Sequence, residues 1–131
     1  MTVTFSDSAV KETHEVVISE LIASDVAMTP AEGDLVREEI ERILSEHQGQ
    51  RLRIVLSFSE LSVVTSAFLN TAVGELYGKH DWDSLARVLS VAKAPDRYHE
   101  LLRRVVKTAK NYYSNREGFR SSVDQVVDDD E

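Results

Sequence analysis

The chain has 131 residues, of which 42% are hydrophobic and 29% charged, the size and balance of one globular domain. It contains no cysteine, so disulfides, thiolate metal sites and cysteine nucleophiles are excluded. A net charge of −8 opposes binding to phosphate backbones except through a local basic patch.

The opening MTVTFSDSAVKETHE lacks the basic start and long apolar core of a secretory signal. No apolar run approaches the roughly 18 residues of a membrane span, and a cytoplasmic protein is expected. Within the opening, TVTFS reads as an edge strand. HEVVISELIA, His14 to Ala23, is rich in β-branched and aliphatic residues and reads as a strand with a turn near Ser19 and Glu20.

TPAEGDLVREEIERILSEHQGQ is the clearest helix. Thr29 is its expected N-cap, Pro30 suits the first helical position and Glu32 completes a capping box. Leu35, Val36, Ile40, Ile43 and Leu44 form an apolar stripe at helical spacing, and Gly49 offers a left-handed stop. Gly33, in the first turn, counts as a small local cost.

In LRIVLSF, Leu52, Ile54, Leu56 and Phe58 alternate with Arg53, Val55 and Ser57, the period of a strand. Val55 makes the second face partly apolar, which suits a central strand. SELSVV is the exit loop. SAFLNTAVGELYG then reads as a helix that ends at Gly78, with Gly74 weakening its middle or allowing a close approach. KHDWDSL reads as a loop and ARVLSVAK as a further strand. APDRYHELLRRVVKTAKNYYSN is the longest helix, carrying Tyr98, Leu101, Leu102, Val105, Ala109, Tyr112 and Tyr113 at helical spacing.

After Asn115 this pattern fails. Residues 116–131 are expected as an acidic, loose tail and residues 1–115 as the domain. Strands alternating with helices predict a small α/β sandwich, with a mixed, partly parallel sheet of about four strands and helices packed on it.

The run RIVLSFSELSVVTSAFLN…AVGELYG, followed by LARVLSVAKAPDRYHELLRRVVKTAKNYY, resembles the bacterial STAS-like domain family of unknown function. The resemblance spans about Val16 to Asn115. That family is distantly similar to the STAS anti-sigma-factor antagonists. In those proteins a partner kinase phosphorylates a serine at the start of the second helix, and the phosphate breaks a complex. By position, the resemblance implies that Ser66 is the candidate phosphoacceptor, with Thr65 as its substitute. It also implies a protein partner, an ATP-binding kinase-like regulator. The antagonists show aspartate, two serines and glycine at this junction, where this chain has Thr65, Ser66, Ala67 and Phe68.

Two readings of Thr65 and Ser66 stand side by side. Either hydroxyl can cap the helix that follows, at about 1 kcal/mol, or serve as a modified, partner-contacting group. Val64, Phe68 and Asn70 are the expected partner-binding neighbours. An alternative reading is a nucleic-acid-associated or defence-system component using Arg103, Lys107 and Lys110, which share one face of the last helix with Arg104 beside them. It rests on the segment Lys93 to Lys110, where six basic residues face two acids. A structural homo-oligomer is a third reading, and the sequence leaves the oligomeric state open.

His14, His47, His80 and His99 are scattered. HDWD, residues 80–83, offers three ligand types, but no second cluster joins it, so no metal site is expected. There is no phosphate loop and no nucleophile elbow, so neither an enzyme nor a cofactor is expected.

Overall fold

A computed structural model describes residues 12–126, and the side chains of residues 12–115. The segment TVTFS lies outside the described residues.

Strand β1 (Glu12–Val17) runs straight into a short helix, α1 (Ile18–Ile22). This corrects the expectation of one strand across His14 to Ala23. Ile18 and Ile22, one helical turn apart, are both buried, and their packing overrides the β-propensity of the run. Helix α1 ends on Ala23, whose left-handed φ of 56° lets its N–H reach back to Glu20.

After the short strand β2 (Val26–Ala27) comes helix α2 (Pro30–Glu46). Its start follows the sequence pattern. The Thr29 hydroxyl accepts from the Glu32 N–H at 3.3 Å, and the Glu32 carboxylate accepts from the Thr29 N–H at 3.1 Å. Val36, Ile40 and Ile43 are buried, whereas Leu35 is exposed. On the outer face, Arg42 bridges Glu39 at 2.6 Å and Glu46 at 2.8 Å.

Strand β3 (Leu52–Ser57) is the centre of a parallel three-stranded sheet of order β1-β3-β5, with β5 at Leu89–Ala92. The register sets Val16 beside Leu56 and Leu56 beside Val91, on the face that carries Leu52 and Ile54 into the core. A second parallel pair joins β2 to β4 (Val63–Val64), within what the sequence suggests is an exit loop. The α/β class is as expected, but every described pairing is parallel and the five strands among the described residues form two sheets rather than one mixed one.

Helix α3 (Ser66–Ala72) gives way to a 3-10 segment, Gly74–Gly78, where the sequence suggests one continuous helix. Helix α4 (Trp82–Val88) replaces an expected loop and shortens the following strand. Asp81 starts it, accepting the Ser84 N–H at 3.0 Å. Helix α5 (Asp96–Val126) continues beyond Asn115, where the apolar spacing ends. It packs on α3 and on the 3-10 segment, while α2 packs on the other side of α3.

Gly33 explains the contact between α2 and α3. A Cβ at that position would lie 2.7 Å from the Phe68 carbonyl oxygen and 2.8 Å from Thr71 Cβ. The glycine that reads as a helix-weakening cost is therefore what lets the two helices meet.

Candidate functional site

The junction before α3 is held from several directions. The Ser62 N–H donates to the Asp25 carbonyl at 2.7 Å, and the Thr65 N–H donates to the Ala27 carbonyl at 3.1 Å. The Ser62 hydroxyl donates to the Asp25 carboxylate at 2.7 Å. From α5, the Tyr98 hydroxyl donates to the Ser62 carbonyl at 3.1 Å. A loop tied to β2 on one side and to α5 on the other presents its next residues in a fixed geometry.

The two neighbouring hydroxyls have different surroundings. Thr65 is the N-cap: its oxygen accepts the Phe68 N–H at 3.2 Å, and its proton goes to the Met28 carbonyl at 2.7 Å. Both functions of that hydroxyl are thus used to join α3 to the β2–α2 loop. Ser66 is exposed and does not cap the helix. It lines an open cleft of about 550 Å³ between α3 and α5, together with Ala67, Asn70, Leu101, Arg104 and Thr108.

An adjoining cleft of about 350 Å³ is lined by Ser62, Val64, Arg97, Tyr98, Leu101 and Arg104. Leu101 and Arg104 belong to both, so the two clefts share one wall. Arg97 lies over the Tyr98 ring at 4.6 Å. Among the described residues no carboxylate pairs with Arg104. Arg97 and Arg104 therefore give the surface beside Ser66 a local positive charge on a chain of net negative charge.

The expected partner-binding residues divide. Asn70 is exposed and lines the larger cleft. Val64 is mostly buried, with only its edge reaching the smaller cleft. Phe68 is a correction: at 0% exposure it belongs to the core and cannot face a partner. Its position three residues after the cap turns its side chain inward, where an aromatic ring contributes most by burial.

The face formed by Arg103, Lys107 and Lys110 is partly engaged within the molecule. Arg103 pairs with Glu100 at 2.9 Å. The Lys110 ammonium stands 5.8 Å from the Tyr77 ring centre and 5.7 Å from that of Trp82, a cation–π arrangement. Lys107 is exposed.

The HDWD run is likewise built into local structure. Asp81 caps α4, the Trp82 N–H donates to the Tyr77 carbonyl at 2.8 Å, and His80 meets Glu41 at 2.7 Å.

The sequence reading did not find a polar cluster between α2 and α3. Arg37 donates to Asp34 at 2.8 Å, to the Thr71 carbonyl at 3.1 Å and to Glu75 at 3.0 Å. It ties the far end of α3 as Thr65 ties the near end, so the helix carrying Ser66 and Asn70 is anchored at both termini. Sequence spacing signals only the Asp34–Arg37 pair, three residues apart on α2; Thr71 and Glu75 come from two other elements.

The family model of the STAS-like domain of unknown function (DUF4325) matches residues 32–97. That is half the chain, from the first turn of α2 to the first turn of α5, and it contains the whole Thr65–Asn70 segment. No curated protein and no solved structure gives a significant match. The chain belongs to the STAS-like family.

Proposed function

We propose that this STAS-like domain is a non-enzymatic, cytoplasmic regulatory module. It acts by binding a protein partner through the α3 start and the clefts beside it. The observation that carries the reading is the division of labour between Thr65 and Ser66. Thr65 holds the helix, leaving Ser66 exposed on a cleft wall with Asn70 and Arg104. A group added to Ser66 would change the surface without removing a hydrogen bond that holds the fold.

Phosphorylation of Ser66 is the proposed control. It adds close to two negative charges and strong acceptor oxygens. On this surface the phosphate would draw in Arg104, occupy the cleft and remove it from a partner. The proposed writer of the mark is an ATP-binding, kinase-like regulator, by analogy with the antagonists that the family resembles.

The test is affinity capture from the native host with wild type, Ser66→Ala and Ser66→Asp, followed by titration of each with the purified partner. Ser66→Asp is expected to weaken the complex while circular dichroism stays unchanged, and Ser66→Ala to retain it. Equal affinity of all three proteins for every captured partner would sink the switch.

A further inference from the structure

We infer that Glu12, His14 and His47 form a binding site for one divalent transition-metal ion of the zinc type. The site joins the start of β1 to the end of α2. The His14 and His47 Nε2 atoms lie 3.2 Å apart, and Glu12 Oε2 is 3.6 Å from His14 Nε2. All three ligand atoms fall within 4.8 Å of one another. Zinc–nitrogen bonds of about 2.05 Å at the tetrahedral angle place two nitrogens about 3.3 Å apart. The imidazole pair already has that separation, and Glu12, on an exposed side chain, needs only a small rotation to complete the triangle.

The surroundings favour coordination as well. His47 Nδ1 lies 2.8 Å from the Ile43 carbonyl oxygen. A carbonyl only accepts, so Nδ1 carries the proton and Nε2 presents its lone pair towards His14. This is the hydrogen-bonded orientation of a metal-ligating imidazole, with tautomer and ring angle set from behind. His47 also stands at the C-terminus of the seventeen-residue α2, where the helix dipole favours a cation. With no ion, His14 Nε2–H donates to His47 Nε2, which satisfies the pair. On binding, that proton moves to His14 Nδ1, and both Nε2 atoms and the carboxylate turn to the metal.

Two imidazoles and one carboxylate suit zinc-like cations rather than magnesium or calcium, which take all-oxygen sites. The fourth tetrahedral position, on the open side of the cluster, is left to water. His14 and His47 are 33 residues apart, and only the packing of β1 beside the end of α2 brings them together.

The experiment titrates the full chain with zinc chloride, read by calorimetry and by ¹⁵N–¹H correlation of the imidazole rings. One ion is expected per chain, with the His14 and His47 Nε2 resonances displaced and those of His80 and His99 unmoved. Magnesium chloride is expected to give neither signal. His14→Ala and His47→Ala should each weaken binding by roughly 100-fold or more, and Glu12→Gln by less. No heat with zinc in excess, displacement of His80 in place of His14 and His47, or unchanged affinity in both alanine variants would each overturn the site. The ring spectra of the wild-type chain decide the matter even if a variant fails to fold.

Discussion

Replacing Gly33 with alanine sets two effects of known size against each other. In an ordinary helix interior the change stabilises by about 1 kcal/mol, because alanine loses less backbone entropy. At this position the new methyl would sit 2.7 Å from the Phe68 oxygen, 2.8 Å from Thr71 Cβ and 3.1 Å from the Ala72 nitrogen. Ordinary carbon contacts begin near 3.4 Å, so the closest atom is about 0.7 Å too near. Two of the three neighbours are main-chain atoms and cannot turn aside, so α2 and α3 must separate. Overpacking of this kind costs roughly 1–3 kcal/mol. Set against the helix gain, the expected result is a protein less stable by up to about 2 kcal/mol, read as a fall in Tm of up to roughly 8 °C by calorimetry. Because α3 carries the cleft, amide resonances from Ser66 to Asn70 should move too. A rise in Tm with those resonances unmoved would refute the close approach of the two helices.

Thr65→Ala removes the cap and the bond to the Met28 carbonyl, and should cost about 1–2 kcal/mol in urea unfolding. Ser66→Ala should stay within about 0.5 kcal/mol; equal losses would mean that the two hydroxyls share the capping. Ala23→Gly removes a side chain from a left-handed backbone position and should raise stability by up to about 1 kcal/mol, and a decrease would count against that conformation. In acid, two carboxylates matter. The Met28 and Thr29 N–H groups hold the Glu32 carboxyl below its ordinary value of 4.5, and the Arg42 hydrogen bond does the same for Glu39. Their folded pKa values are depressed, so their contribution is present above about pH 4.5 and is lost as pH falls below it. Glu32→Gln should therefore flatten the acid limb of a Tm-against-pH curve, and a limb of unchanged slope would remove the capping carboxylate from the explanation.

Helix α2 was legible because every signal that starts it is local: Thr29, Pro30 and Glu32 fall within four residues, and the buried stripe repeats along one element. The end of β1 was not. Ile18 and Ile22 are as suited to a strand as to a helix, and the left-handed turn at Ala23 uses no glycine, so the sequence carries no stop signal there. Helix α4 was hidden because KHDWDSL reads as a loop, and Asp81 is marked as a cap only by its bond to the Ser84 N–H. Gly33 was visible as a glycine, yet what it permits depends on a helix that follows more than thirty residues later. The candidate site shows the same limit. Thr65 and Ser66 are adjacent hydroxyls that the sequence alone cannot rank. The Phe68 N–H and the Met28 carbonyl, both held by Thr65, separate the one that holds the fold from the one that faces the cleft.

The basic segment Lys93 to Lys110 shows why charge alone does not locate a binding surface. Arg97, Leu101, Arg104 and Thr108 recur at three- and four-residue intervals, so they form one stripe of α5, the stripe that walls the clefts. Arg103, Lys107 and Lys110 form the neighbouring stripe, of which Lys110 turns to Tyr77 and Trp82. The two stripes contribute similarly to the long-range field around the molecule but differ in what they touch. Arg104→Glu and Lys107→Glu change the net charge by the same amount, so long-range steering of a partner shifts nearly equally in both. Contact in the cleft shifts only in the first. If the α3 start and its clefts are the recognition surface, Arg104→Glu should lower partner affinity well beyond Lys107→Glu, and the excess should persist at high salt, where long-range attraction is screened. Equal losses that both vanish with added salt would leave only a diffuse charge effect, and the partner would have to be sought on another face.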